Sequence, residues 1–310
     1  MKHNILIVIF SFVFALTVVE ILLRVYNPNS SHQNHSYLFD NKLGWIHKPN
    51  STFRNFTSDF NALSTINSLS LRDSKFLNNK KNILVLGDSM VEARQVNDDE
   101  VFTELLENTY KDFEFLNAGV SGYGTIQQLL LFERLVKEIK FEYVFLFYSK
   151  LNDWLDTSYE YQNYLNISNI TSRPFYDKDL KLIKNPINNQ NNSALKNFLK
   201  NFRFINIIYN ASSSIKLSIK NTKIEQNLKN KKSKIFNSDD VLFIESWNQN
   251  RKILKKLNNV IQDNGIKLIV FGVPIEPIDL TENFDNFDSF DVDLNNDSVD
   301  FNYKYHSLNS

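Results

Sequence analysis

The fold is decided by "NILVLGDSMVEARQV", residues 82–96, in which a short, continuous run of branched apolar residues stops abruptly at Gly-Asp-Ser and a helix-compatible segment follows. A run such as "ILVLG" that carries no polar alternation suits a strand buried on both faces, as in a parallel sheet covered by helices. Working outward, "DDEVFTELLENTY" (98–110) has helical spacing with acids in its first turn, where they suit the helix dipole. "FEFLNAGV" (113–120) is a second strand and "TIQQLLLFERLVKEIK" (125–140) an amphipathic helix, with Thr125 placed to act at its start. "YVFLFYS" (143–149) is a third buried strand. Farther on, a helix over 241–264 leads into a fourth strand, "IKLIVFGVP" (266–274). This alternation predicts an α/β fold with a central parallel sheet and right-handed crossovers.

The 310 residues suffice for one large α/β domain with additions, and the apolar and charged shares, 42% and 23%, are those of an ordinary globular protein. Lys+Arg and Asp+Glu are equal at 35 each, which argues against nucleic acid as the main partner. The absence of cysteine excludes disulfides, thiolate zinc sites and a Cys nucleophile. At the N-terminus, "ILIVIFSFVFALTVVEILL" (5–23) is interrupted only by Glu20. As a helix it spans roughly 28 Å, close to the hydrocarbon thickness of a bilayer. Lys2 precedes it and Arg24 follows, a weak bias towards an inside N-terminus. No small-x-small cleavage site follows, so residues 1–25 are expected to be an uncleaved transmembrane signal-anchor, with the rest of the chain on the extracytoplasmic side (periplasmic in a Gram-negative cell). Residues 26–81 divide into a polar linker and an irregular lead-in with short strands, and 82–310 is the main domain. Within it, the Asn- and Lys-rich stretch 155–240 breaks the strand–helix rhythm and is expected to be an inserted helical cap.

Three strand ends carry the chemistry, because a parallel sheet binds ligands outside the carboxyl ends of its strands. The first ends at "GDSM", the second at "NAGVSGYGT", the third at "SKLNDW". Ser89 brings a hydroxyl to a strand-to-helix turn, beside backbone N–H groups. Gly122 lets a reacting atom approach the main chain. Asn152 offers a side-chain amide. Together, Ser89, Gly122 and Asn152 can form an oxyanion hole, in which each donor is worth about 3 kcal/mol of transition-state stabilisation. Plainer roles exist: Ser89 as a helix N-cap, Asn152 as a turn residue.

With these blocks in order, the sequence resembles the SGNH/GDSL esterases and lipases, of the membrane-anchored bacterial type. "LGDSM" matches the first block, with Ser89 in the nucleophile position; "NAGVSGYGT" the second, with Gly122 in the oxyanion position; "LND" (151–153) the third, with Asn152 as the oxyanion amide. The lead-in pieces "DNKLGWIHKPN" (40–50) and "INSLSLRD" (66–73) are also similar. The resemblance implies a three-layer, flavodoxin-like fold and a serine hydrolase of ester bonds that works through an acyl-enzyme, without metal or organic cofactor. It implies a small-molecule or carbohydrate ester as substrate. Of the five histidines, His306 in "DFNYKYHSLNS" takes the position of the general base.

Two positions depart from the family pattern. Lys150 stands where the third block has glycine. Tyr303 stands where the triad acid is expected, and the nearest aspartate is Asp300. Members normally continue into a final glycine and helix, so the chain is expected to be a fragment ending at Ser310. Two alternatives stay open: an O-acyltransferase or deacetylase acting on cell-surface polysaccharide, and a binding protein that keeps the fold without the chemistry. Other patterns fail their tests. "GVSGYG" lacks the dinucleotide spacing and its acid. The acids from Asp279 to Asp291 lack an EF-hand's glycine and terminal glutamate. His32 and His35 have no third metal ligand.

Overall fold

The computed structural model describes residues 2–26, 37–56, 59–73, 76, 79–149, 152–164, 172–187, 198–199, 202–205, 207–208, 212 and 241–273. It divides into two units. The first comprises Met1–Asn34, Phe56–Asp59 and Gln190–Ile235; the second comprises His35–Asn55, Phe60–Asn189 and Phe236–Ser310.

In the first unit, the apolar N-terminal run forms helix α1 (Lys2–Tyr26). Its segment Leu6–Val25, of mean hydropathy 2.8, is long and apolar enough to cross a membrane, as a membrane anchor or a signal sequence must be. Most of its described side chains, among them Phe10, Phe12 and Phe14, are exposed rather than packed on a core. Glu20 is buried. Its carboxylate accepts from Arg24 Nε at 2.8 Å and from the backbone N–H groups of Arg203 and Phe204 at 2.8 and 3.3 Å.

The second unit begins with the lead-in. Strands β1 (Tyr37–Asp40) and β2 (Gly44–His47) form an antiparallel pair, and β3 (Ser51–Phe56) pairs with β4 (Asn61–Ile66). Then come β5 (Lys81–Gly87), a four-residue helix α2 (Ser89–Glu92), α3 (Phe102–Thr109), β6 (Phe113–Gly119), α4 (Thr125–Leu135) and β7 (Tyr143–Ser149). A short helix α5 (Tyr159–Tyr164) and a small hairpin of β8 (Phe175–Tyr176) and β9 (Leu182–Lys184) follow, and α6 (Val241–Asp263) leads into β10 (Lys267–Val273).

The central sheet has four parallel strands in the order β10-β7-β5-β6. The chain starts at β5, steps to the β6 edge, then returns past β5 to β7 and β10. Strand order therefore reverses beside β5, which makes the carboxyl end of that strand the topological switch point where open α/β sheets bind ligands. Alternation along each strand clothes both faces of the sheet. Leu84, Leu86, Leu116, Val144 and Leu146 pack with Leu129 and Phe132 of α4 and Ile253 and Leu257 of α6. Ile83, Val85 and Phe115 face the other way, against Val91 of α2 and Phe102 and Leu106 of α3. With both faces covered, the strands need no polar side, which is why they read as continuous apolar runs.

Details depart from the sequence pattern where local bonding overrides periodicity. The helix expected over 98–110 divides at Val101, which is extended (φ −67°, ψ 136°) between a 3₁₀ turn, Asp98–Glu100, and α3. Asn97 and Glu100 close that turn on themselves, Asn97 N–H donating to Glu100 Oε2 at 2.9 Å. Helix α4 starts at Thr125, as expected, with Gly124 as its cap, and stops at Leu135, short of the expected end. There the chain turns to bury Ile139 and Phe141. Part of the expected cap belongs with the sheet: Tyr161 of α5 is buried against Trp154, which also stacks edge-on with Phe243 of α6.

Candidate active site

The switch-point end of the sheet is built from the turns that follow β5, β6 and β7. At the end of β5, Asp88 takes the N-cap of α2, its Oδ1 accepting from Met90 N–H at 2.9 Å. The capping role is thus filled by Asp88 and not by Ser89. Ser89 is the first residue of α2, exposed, and its hydroxyl makes no hydrogen bond among the described residues. A helix this short cannot stand on intrinsic propensity. Its carbonyls are held instead by Arg72, buried, which donates through Nη1 to Glu92 O and Ala93 O and through Nη2 to Val96 O at 2.7 Å. Asn117 of β6 adds a bond from Nδ2 to Val91 O at 2.8 Å. Gly119 permits this closeness, since a Cβ there would stand 2.3 Å from Glu92 N.

The turn after β6 carries Gly122, at φ +77°, the left-handed region that glycine enters without strain. The turn is tied to the first block where Val120 N–H donates to Gly87 O at 3.4 Å. The lead-in clamps it from the other side. Trp45 Nε1 donates to Ser121 O at 3.1 Å, and Tyr123 Oη donates to Trp45 O. Beneath it lies Glu92, fully buried, whose carboxylate accepts from Ser121 N–H at 2.6 Å, from the Ser121 hydroxyl, and from Tyr37 Oη at 2.8 and 2.9 Å. His47 Nε2 and Arg94 Nε stand 3.5 and 3.6 Å from the same oxygen. Burial, and then the Glu92 charge, push the Tyr37 phenol well above its usual range, so it stays a donor.

After β7, Asn152 reaches across to the first block: its Nδ2 donates to Asp88 Oδ2 at 3.0 Å, while its Oδ1 accepts from Ser149 Oγ. This bond joins the ends of β5 and β7, the two strands that flank the reversal. Asp153 is buried, accepting from Ser149 N–H at 2.8 Å; burial, and then the neighbouring Asp88, push its pKa well above the ordinary carboxylate value.

Two structural ties therefore bring the blocks of Ser89, Gly122 and Asn152 to one end of the sheet. His306, Asp300, Tyr303 and Lys150 lie outside the described residues, as do His32, His35 and the acids from Asp279 to Asp291. Among the described residues no cluster of three or more His, Cys, Asp or Glu could hold a metal.

Sequence reasoning missed Arg173. Its Nη2 lies 3.6 Å from where a Cβ on Gly122 would stand, its guanidinium sits over the Trp45 ring at 5.2 Å, and it pairs with Asp156 at 3.1 Å. Burial lowers the Arg173 pKa, opposed by the Asp156 charge. It lies in a polar, Asn-rich stretch with no periodicity to announce it. Glu92 was equally silent, since a carboxylate in a helix-compatible segment is ordinarily solvated. Compared with known proteins, the chain matches no family model and no curated protein.

Proposed function

We propose that this chain is an ester hydrolase of the SGNH type, with a flavodoxin-like core, in which Ser89 is the nucleophile. The observation that carries this reading is the division of labour at the first turn. Asp88 caps α2 and accepts the Asn152 amide, and Ser89 is left exposed with an uncommitted hydroxyl at the switch point. Ser89 Oγ would bond to the ester carbonyl carbon as its proton passes to the imidazole of His306. The oxyanion so formed would be met by the N–H groups of Ser89 and Gly122 and by the second N–H of the Asn152 amide. Collapse would break the bond to the alcohol, which leaves with the proton from His306. Water would then repeat the sequence on the acyl-enzyme and release the acid. Helix α1 would tether the domain to the membrane, facing the extracytoplasmic side.

The test is turnover of an activated short-chain ester by the full chain in detergent micelles. Ser89→Ala is expected to abolish turnover and labelling by a serine-directed phosphonate. Equal rates for both proteins, or a label on another residue, would refute the assignment. Product analysis with a sugar acceptor separates hydrolysis from acyl transfer, since hydrolysis leaves the acceptor unmodified.

A further inference from the structure

In the first unit, the sequence "NFLKNFRFINII" (197–208) interleaves aromatic and branched apolar residues with Lys200 and Arg203 and contains no acid. Phe198, Ile207 and Ile208 are 59, 50 and 64% exposed, although a side chain of this kind gains about 2 kcal/mol by leaving water. Phe198, Phe202 and Phe204 form a chain of ring contacts at 5.3 and 6.0 Å. The place of this segment is fixed by α1. Arg203 and Phe204 donate their backbone N–H groups to the Glu20 carboxylate, and Arg203 Nη1 donates to Leu23 O at 3.0 Å. Glu20 stands five residues before the end of the membrane-length stretch Leu6–Val25, about 8 Å along the helix axis from that end. That is the depth at which amphipathic segments bury their apolar faces between headgroups and acyl chains.

We infer that the described residues of this stretch, 198–199, 202–205 and 207–208, are a second membrane contact, seated in the leaflet that holds the C-terminal end of α1. The inference rests on α1 being a membrane anchor. Continuity with the anchor selects lipid as the occupant: a segment bonded to Glu20 cannot avoid the bilayer surface once α1 is inserted. The carboxylate that would be costly at this depth is satisfied by Arg24 and the two N–H groups.

The native chain has no cysteine, so single-cysteine spin labels report without background. The full chain would be reconstituted in vesicles of equal parts phosphatidylcholine and phosphatidylglycerol, with labels at Phe198→Cys and Ile208→Cys. Phe12→Cys serves as the anchor reference and Leu105→Cys as the aqueous one. Collisions with oxygen are expected to exceed those with a water-soluble nickel chelate at 198 and 208, as at 12, and the order to invert at 105. Aqueous behaviour at 198 and 208 with lipid behaviour at 12 would overturn the inference and leave the anchor standing. Aqueous behaviour at 12 as well would overturn both. Shielding from both relaxants with dipolar coupling between labels would show a second copy on this face, and would overturn it too.

Discussion

At the residue scale, the candidate chemistry turns on a missing methyl group. Gly122 holds φ at +77°, and a Cβ there would come to 3.3 Å from Trp45 Cζ2, within reach of Arg173 as well. Gly122→Ala would add about 1–2 kcal/mol of backbone strain and press on the ring that fixes Ser121. The clamps on Ser121 and Tyr123 keep the turn in place, so the domain should still fold while the N–H of residue 122 is re-aimed. The expected outcome is a loss of ester turnover of about 100-fold or more, against a fall of only a few degrees in the thermal midpoint. Equal activity would show that this N–H does not meet the oxyanion. A second residue makes a pH-dependent prediction. Burial, reinforced by Asp73 and Glu104, pushes the Glu107 carboxyl up to about 7 from the ordinary 4.5, although Phe115 N–H donates to it at 2.7 Å. A carboxyl raised in the fold keeps a proton that the unfolded chain has lost, so its contribution to stability is present at acid pH and disappears as pH climbs from about 4.5 through 7. Glu107→Gln keeps the acceptor for Phe115 and removes the titration. Its stability relative to the native chain should rise across that window and level off above it, as read from urea midpoints. A constant difference would show that Glu107 titrates normally.

At the scale of elements, α2 is a four-residue helix whose position is set by its neighbours. Arg72 supplies a planar fork to three carbonyls and lies 3.5 Å from Asp98. Arg72→Met would leave those carbonyls with fewer donors in a buried setting, at a cost of about 3 kcal/mol. Arg72→Lys should rescue little, because an ammonium cannot reproduce the fork. Denaturation midpoints of the two variants check this; a Lys variant as stable as the native chain would reduce Arg72 to a simple charge. The same element marks the limit of what the sequence discloses. Strands β5, β6, β7 and β10 were legible because burial on both faces leaves an uninterrupted apolar signature, and the turns with Ser89, Gly122 and Asn152 followed from where those strands end. The clamps were not legible. Tyr37 and Glu92 are 55 residues apart, and Trp45 and Ser121 are 76 apart, and no local periodicity encodes such pairings. Nor could spacing alone show that Asp88, rather than Ser89, caps α2, since either residue type suits the role.

At the scale of the whole molecule, the proposal that α1 is a membrane anchor carries a prediction about the compartment in which chemistry at the switch point would take place. An apolar helix flanked by Lys2 and Arg24 carries only a slight charge asymmetry, so orientation is decided by few groups. The amino terminus and Lys2 favour an inside start. Arg24 opposes this only in part, because its Nε is engaged with Glu20 at 2.8 Å. On the proposed reading, a start inside would put the rest of the chain outside, where an ester carried by the cell envelope or arriving from the medium would meet Ser89 without crossing the bilayer. The cysteine-free chain makes this testable: Leu182→Cys, on an exposed position of β9, should react with a membrane-impermeant maleimide in intact spheroplasts. Labelling only after lysis would place the domain inside and require an ester substrate from the cytoplasm. Removing Lys2 by Lys2→Gln should then weaken the preferred orientation, with a larger fraction of Leu182→Cys protected from the reagent. An unchanged fraction would mean that some other group sets the orientation.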